Sequence, residues 1–356
     1  MTVYDRFLRA INHQESSPVP VVGWDNAVPI TRMARILAKD YYRNPEVKFF
    51  TQKMVLDQFP SIRWVPGFHA DFGVVVEPSA FGCEIEWFED DSPYAHPILN
   101  DLNNIDKLKI PDPYMDGLMP EALSNYKFFW EKIEKKYIDE YGYLDGFAFT
   151  LGPLETAASL RGYGNLLFDL HDNPSKIHKL LEMIVEGLLR WIDAQEKING
   201  KIKLLILVDH LPGNISLNYS QEYAFPYFKQ IFDEYPSAIH IYHNEGKSDH
   251  YVSHIPDFGA HVFHCGKVDL EHAKNIIGDR LCFMGNIDAN EVLLPGTPDL
   301  VKQVCLEKLR IAAPGGGYLL CTGGAMAPGT KEENIWAMVK ASDEYEIEKN
   351  KKNQKD

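Results

Sequence analysis

Positive charge is in short supply in this chain. Its 36 lysines and arginines face 51 aspartates and glutamates, a formal net charge of −15. Such a balance leaves no basic stripe for a nucleic-acid backbone and no polybasic anchor for an anionic membrane. Cysteine is sparse too: Cys83, Cys265, Cys282, Cys305 and Cys321 are an odd, scattered set with no C-x-x-C pair. That argues against a disulfide framework and suits reduced thiols in a cytoplasm. No apolar run approaches the ~20 residues of a membrane span, and none follows a basic start, so neither a spanning helix nor a signal peptide is expected. G-x-G-x-x-G after the first strand and the Walker pattern are both missing, which removes the usual signatures of dinucleotide and nucleoside-triphosphate sites.

What is present is a long alternation of buried strand and amphipathic helix. At 356 residues with 45% hydrophobic and 24% charged side chains, the chain is long enough for one large α/β domain. Strands are expected at 19–24, 61–65, 146–151, 203–209, 238–243, 261–265, 281–286 and 317–322. Helical patterns fill 2–13, 30–56, 118–141, 174–197, 220–235, 270–277 and 298–312. Short apolar strands separated by helices indicate a parallel sheet with helices outside. Eight of them is the number that closes a TIM (β/α)8 barrel. Between 67 and 113 the pattern changes to short β-like runs such as 72–76 and 83–88, too short for a core of their own. We read 1–345 as one barrel domain with this segment as an excursion over its mouth, and 346–356 as a charged, disordered tail.

A closed barrel collects the C-terminal ends of its strands around one pocket. Those ends are polar here: Asp209-His210, His243-Asn244-Glu245, His264-Cys265, Asn286 with Asp288, and Cys321-Thr322 ahead of Gly323-Gly324. An imidazole and a carboxylate two residues apart, His243 and Glu245, suit one metal ion with an open position. A hydrogen-bonded loop histidine beside a solvated glutamate is the structural alternative. Asp209 is placed to orient His210 or a ligand histidine. Gly323-Gly324 permits close backbone approach to a ligand. Phe149 is a candidate for an aromatic-accepting wall, with His264 and Asn286 as further substrate contacts.

Several stretches carry a family resemblance in their order and spacing: RFLRAINH at 6–13, PVPV at 18–21, FTLGP at 149–153, the region from Asp209 to Ser220, MGNID at 284–288, and GGAMAP at 323–328 with Glu333-Asn334. Together they resemble the uroporphyrinogen decarboxylase superfamily, which implies a TIM barrel. The decarboxylases of that superfamily carry an arginine-rich N-terminal stretch for porphyrinogen carboxylates, and WDNAVP at 24–29 lacks it. The other branch comprises zinc methyltransferases that work with corrinoid proteins, and those serving coenzyme M carry His-x-Cys-Gly at one strand end. Here the matching run is His243-Asn-Glu245-Gly246, with glutamate in place of the cysteine. The late cysteine position falls at Gly324, three residues after Cys321.

Replacing thiolate by carboxylate makes zinc a harder Lewis acid, suited to an ether or phenolic oxygen. The resemblance therefore implies a corrinoid-dependent O-demethylase component, moving methyl from a small methoxylated aromatic compound to cobalamin on a partner corrinoid protein. His243 and Glu245 are the expected zinc ligands, with Glu222 or Cys321 as a third. Tyr242 and His210 are the candidates to protonate or orient the leaving oxygen. Methyl transfer to a thiol such as coenzyme M, porphyrinogen decarboxylation, and a non-catalytic binding protein on a degenerate barrel are the rival readings.

Overall fold

The computed structural model describes residues 1–24 and 27–353. Two residues of the WDNAVP stretch, Asp25 and Asn26, lie outside them. All eight expected strands form: β1 (Val22–Trp24), β2 (Arg63–Val65), β3 (Phe147–Leu151), β4 (Leu204–Val208), β5 (Ile239–Lys247), β6 (Val262–Lys267), β7 (Cys282–Ile287) and β8 (Tyr318–Thr322). Strands β3 to β8 make one parallel sheet in chain order, and β1 pairs β2 in parallel. A parallel bridge from Val21 to Leu320 joins β1 to β8. The series is thus that of a TIM barrel, β2-β1-β8-β7-β6-β5-β4-β3, in which β1 and β8 meet through that single bridge and no ladder joins β2 to β3 among the described residues.

Side chains satisfy the two open strand edges there. The Trp64 N–H points away from β1 and donates to the Tyr143 hydroxyl at 3.0 Å. On the facing edge of β3, Gln195 bonds both the N–H and the C=O of Phe149 at 3.0 Å. Asn199 donates to the Phe147 carbonyl and Glu77 accepts from the Leu151 N–H, each at 2.9 Å. Gln195 and Asn199 come from the long helix Pro174–Asn199. Every one of these backbone groups is buried and needs a partner, so the amides take the place of a ladder.

Helices cover the outside as the periodicity predicts, but three runs are subdivided. That at 118–141 splits into Met119–Lys132 and Lys135–Tyr141, and that at 220–235 into Leu217–Tyr223 and Phe225–Glu234. The helical run at 30–56 breaks into Ala27–Ala34, Ala38–Arg43 and Pro45–Gln58. Asn44 caps the last of these by accepting from the Glu46 and Val47 N–H groups, with Pro45 pre-set for the first turn. The excursion at 67–113 holds less strand than its sequence suggests. It has a short α-helix, Val76–Ala80, a 3-10 helix, Leu102–Lys107, and a two-residue antiparallel pair, Ile85–Glu86 with Tyr94–Ala95. Of the tail expected to be disordered, 346–353 is helical, part of the last helix, Glu332–Asn353, and 354–356 lie outside the described residues. Arg310 grips Glu348 in a two-toothed ion pair and Lys349 pairs with Glu15, so the charged end has partners on the barrel wall. No helix among the described residues is long and apolar enough to cross a membrane.

Candidate functional site

Strand alternation decides which residues of β5 see the barrel interior. His243 and Glu245 share one parity, and Tyr242 has the other. Tyr242 accordingly points outward, fully buried among Phe228, Phe258 and Phe263, with its hydroxyl on the Asp209 carbonyl at 3.0 Å. It touches no cavity, and its expected role at a leaving oxygen is corrected by the pleat.

One nitrogen each from His210 and His243 and one carboxylate oxygen from Glu245 lie within 4.8 Å of one another. Among the described residues this is the one group of three such donors gathered tightly enough for a metal ion. His243 Nε2 and Glu245 Oε1 are 3.4 Å apart, about the edge of a tetrahedron around an ion with bonds of roughly 2.0–2.1 Å. His210, expected as a proton donor, is thus placed among the candidate metal donors.

The hydrogen bonds behind His243 define its tautomer. His264 Nε2 lies 2.9 Å from the Thr322 carbonyl, which can only accept, so that nitrogen carries the proton. Burial pushes the His264 pKa well below the ordinary value, so the ring is neutral and its Nδ1 is bare. That Nδ1 sits 2.7 Å from His243 Nδ1, which must donate. His243 is likewise neutral, its pKa lowered to about 4 chiefly by burial, and its Nε2 is left with a lone pair facing Glu245. Burial would raise the Glu245 pKa, while the Ala325 N–H, donating at 3.1 Å, favours its charged form. A bare imidazole nitrogen thus faces a charged carboxylate, an arrangement that a cation between them relieves. The donor set, two imidazoles and one carboxylate, fits zinc.

His210 is aimed by Glu155, which the sequence reading missed. Glu155 is buried, accepts from the His210 N–H at 3.0 Å and lies 3.4 Å from its Nδ1, and Tyr163 donates to its other oxygen. A carboxylate on one ring nitrogen leaves the other for a metal, the usual partnership of ligand histidines. Burial opposes charge on His210, but Glu155, Glu245 and Asp209 overcome it and raise its pKa above the ordinary value. Glu155 stands in the first turn of the helix Pro153–Arg161 directly after β3, and that position was its only sequence signal.

Asp209 works from behind. Its carboxylate accepts from the N–H groups of Leu154 (2.9 Å), Glu155 (3.1 Å) and Leu211 (3.2 Å). It anchors the helix that carries Glu155 rather than orienting a histidine itself. A Cβ at Gly152 would fall 2.3 Å from an Asp209 oxygen, so only glycine lets the helix start this close. Burial and the nearby Glu155 both raise the Asp209 pKa. Gly324 plays the matching part at β8, where a Cβ would meet the Glu245 carboxyl carbon at 2.5 Å.

Two expected ligands lie elsewhere. Glu222 is exposed on the helix Leu217–Tyr223 and pairs with His178 at 3.5 Å. The structure puts it in the last turn of that helix instead of the first, on the outer layer, where it does not reach the strand ends inside the barrel. Cys321 is fully buried behind His264, with Sγ 3.8 Å from its Nε2. Burial pushes its thiol up to about 12, far from a ready thiolate. All five cysteines are free and buried.

The cluster forms one wall of a cavity of about 140 Å³. Trp24, stacked on His243 at 4.4 Å, lines it with Tyr41 and Phe149, and Pro66, His69, Asp71 and Val74 extend it on the side of the excursion. Neither arginine nor lysine is among its lining residues. Phe149 is therefore in the cavity, but His264 is not, lying under His243. Asn286 lines a separate recess of about 130 Å³ on the far side of Glu245, where its amide donates to the carbonyls of Gly266 and Val268.

Comparison with known proteins follows the same lines. A uroporphyrinogen decarboxylase from Pseudomonas fluorescens is 23% identical over 95% of this chain and 96% of its own length. A methylated-thiol–coenzyme M methyltransferase from Methanosarcina mazei is 23% identical over 84% of this chain and 78% of its own. A solved methyltransferase structure from Methanosarcina mazei superposes with a TM-score of 0.81 at 20% identity, covering 97% of this chain and 99% of that one. The profile of the uroporphyrinogen decarboxylase (URO-D) family matches residues 2–345, and the chain belongs to that family.

Proposed function

We propose that this protein is a zinc-dependent methyltransferase. It takes the methyl group of a small methoxylated aromatic compound and passes it to cob(I)alamin carried by a separate corrinoid protein. The observation that carries the reading is the convergence of His210, His243 and Glu245 on the wall of an aromatic-lined cavity. These three residues would hold the ion, which when bound supplies a Lewis acid for the ether oxygen of the donor. Glu155 and His264 keep the two imidazoles turned toward the cluster. Trp24, Tyr41 and Phe149 offer faces and edges for an aromatic ring. Transfer would break the O–CH3 bond with its electron pair staying on the oxygen and form the methyl–cobalt bond on the corrinoid partner. A cytoplasmic setting, in keeping with five free cysteines, belongs to the same proposal.

The rivals are less well supported. Methyl transfer to or from thiols, named for the Methanosarcina relative, has been met in the expected pattern by a cysteine ligand, and no cysteine lines this cavity. A porphyrinogen brings many carboxylates, and neither arginine nor lysine lines the cavity to receive them. The deciding experiment is zinc analysis of the purified protein, followed by incubation with reduced corrinoid protein and methoxyarenes, methylated thiols, methanol or methylamines, reading the cobalt spectrum. Methylation from methoxyarenes, abolished by a chelator and restored by zinc, is the expected result. Methylation from thiols alone, or zinc-free protein of full activity, would overturn the proposal.

A further inference from the structure

Resting on that demethylation reading, we infer that His69 decides which methoxyarenes the cavity takes. Its ring presents an unpaired N–H to the ligand and selects rings that carry a second oxygen besides the methyl ether. His69 comes after β2, whereas the metal cluster comes after β4 and at the end of β5, so the two face one cavity from different sides. A substrate ring whose ether oxygen lies at the cluster turns another of its edges toward His69. The imidazole is held in place. It packs against the Phe149 ring with centroids 4.7 Å apart, and Gln52 bonds both its backbone N–H, at 3.1 Å, and its C=O, at 2.8 Å.

A neighbour fixes which nitrogen carries the proton. Tyr126 is fully buried, and burial raises its pKa well above the ordinary value, so its hydroxyl stays protonated. Among the described residues the acceptor for that proton is His69 Nδ1, 2.8 Å away. Were Nδ1 protonated instead, the Tyr126 proton would be buried without an acceptor. Burial lowers the His69 pKa to about 4, so the ring is neutral and its one proton sits on Nε2. The Asp71 carboxylate two residues on is engaged with the Gly73 N–H at 2.6 Å and the Tyr41 hydroxyl at 3.2 Å. Nε2 itself has no hydrogen-bond partner among the described residues. A ligand that brings an oxygen there satisfies it, while one that brings only ring carbon buries it unpaired. A site with such a donor discriminates against the analogue lacking the oxygen by about tenfold or more.

The test is calorimetric binding of methoxybenzene and of 2-, 3- and 4-methoxyphenol to the zinc-loaded protein, with no corrinoid present, for wild type, His69→Leu and His69→Gln. In wild type the best of the three phenols is expected to bind about tenfold or more tighter than methoxybenzene. His69→Leu should shrink that margin to within about threefold, and His69→Gln, which keeps an N–H near the same place, should restore most of it. A phenol oxygen can also meet the zinc, but that contribution is common to all three proteins, so the change in margin reads His69. A merely structural role would weaken every ligand alike and leave the margin where it was. A thermal melt reports whether the variants fold. Should His69→Leu not fold, metal-free wild type decides, since a margin kept without zinc cannot come from the metal and its loss there counts against His69. An unchanged margin in His69→Leu, or equal wild-type affinity for the phenols and methoxybenzene, overturns the inference, while methyl transfer from any of these compounds leaves the demethylation reading standing. Failure to bind any methoxyarene removes both, and the zinc analysis then tells whether the metal site survives them.

Discussion

One proton on His264 governs the geometry of the whole cluster. Because the Thr322 carbonyl claims it, His264 accepts from His243, and the His243 lone pair turns toward Glu245. Glu155 does the same for His210 from the other side. Two consequences are measurable by competition with a chromophoric chelator. His243→Ala and His210→Ala are expected to abolish tight zinc binding, and Glu155→Gln to weaken it about 10–100-fold while the fold stays intact by circular dichroism. Unchanged affinity in Glu155→Gln would show that His210 needs no carboxylate behind it. At this scale the sequence displays His243 and Glu245 openly, since a spacing of two on a strand puts both on one face. The same alternation excludes Tyr242. Glu155 was hidden because its partner is 55 residues away and a first-turn glutamate is ordinary at any helix start.

Among the elements, the helix Pro45–Gln58 holds the least expected residue. Lys48 is completely buried, and its ammonium nitrogen has no hydrogen-bond partner, only the Phe72 ring. Burial lowers its pKa from 10.5 to about 7, against the opposing pull of Asp71. Between those values the unfolded chain holds a proton that the folded protein does not, so stability must rise with pH across that window and be lowest below about 7. Lys48→Met is expected to flatten this rise and to stabilise the protein below pH 7 by on the order of 2 kcal/mol, read from urea unfolding at several pH values. A variant as pH-dependent as wild type would mean that the lysine reaches water or a partner in solution. The excursion that this helix abuts was visible in sequence as a change of pattern. Its contribution to the cavity wall was not, because short runs without regular pairing carry no direction.

Across the molecule, the barrel has one seam without a ladder, where side chains satisfy the open strand edges. Gln195 satisfies both backbone groups of Phe149, a residue of the cavity wall. Gln195→Leu would leave a buried N–H and C=O unpaired, an expected loss of roughly 2–4 kcal/mol in chemical denaturation. Because Phe149 would lose its anchor, ligand affinity should fall as well. Loss of less than ~0.5 kcal/mol would show the seam to be held by other means.

The sequence alone determined the eight strands, their parallel order and most of the covering helices, because apolar periodicity and turn residues act over a few neighbours. It also marked the strand ends where polar side chains gather. Tertiary structure alone decided which of those side chains meet: His210 with His243 and Glu245 in, Glu222 and Cys321 out, Glu155 behind one ligand and His264 behind the other. The physical reason is that ligation and tautomer depend on distances between separate strands and on buried hydrogen bonds, which no local spacing records. The same holds for the seam, where amides from a distant helix stand in for a missing ladder.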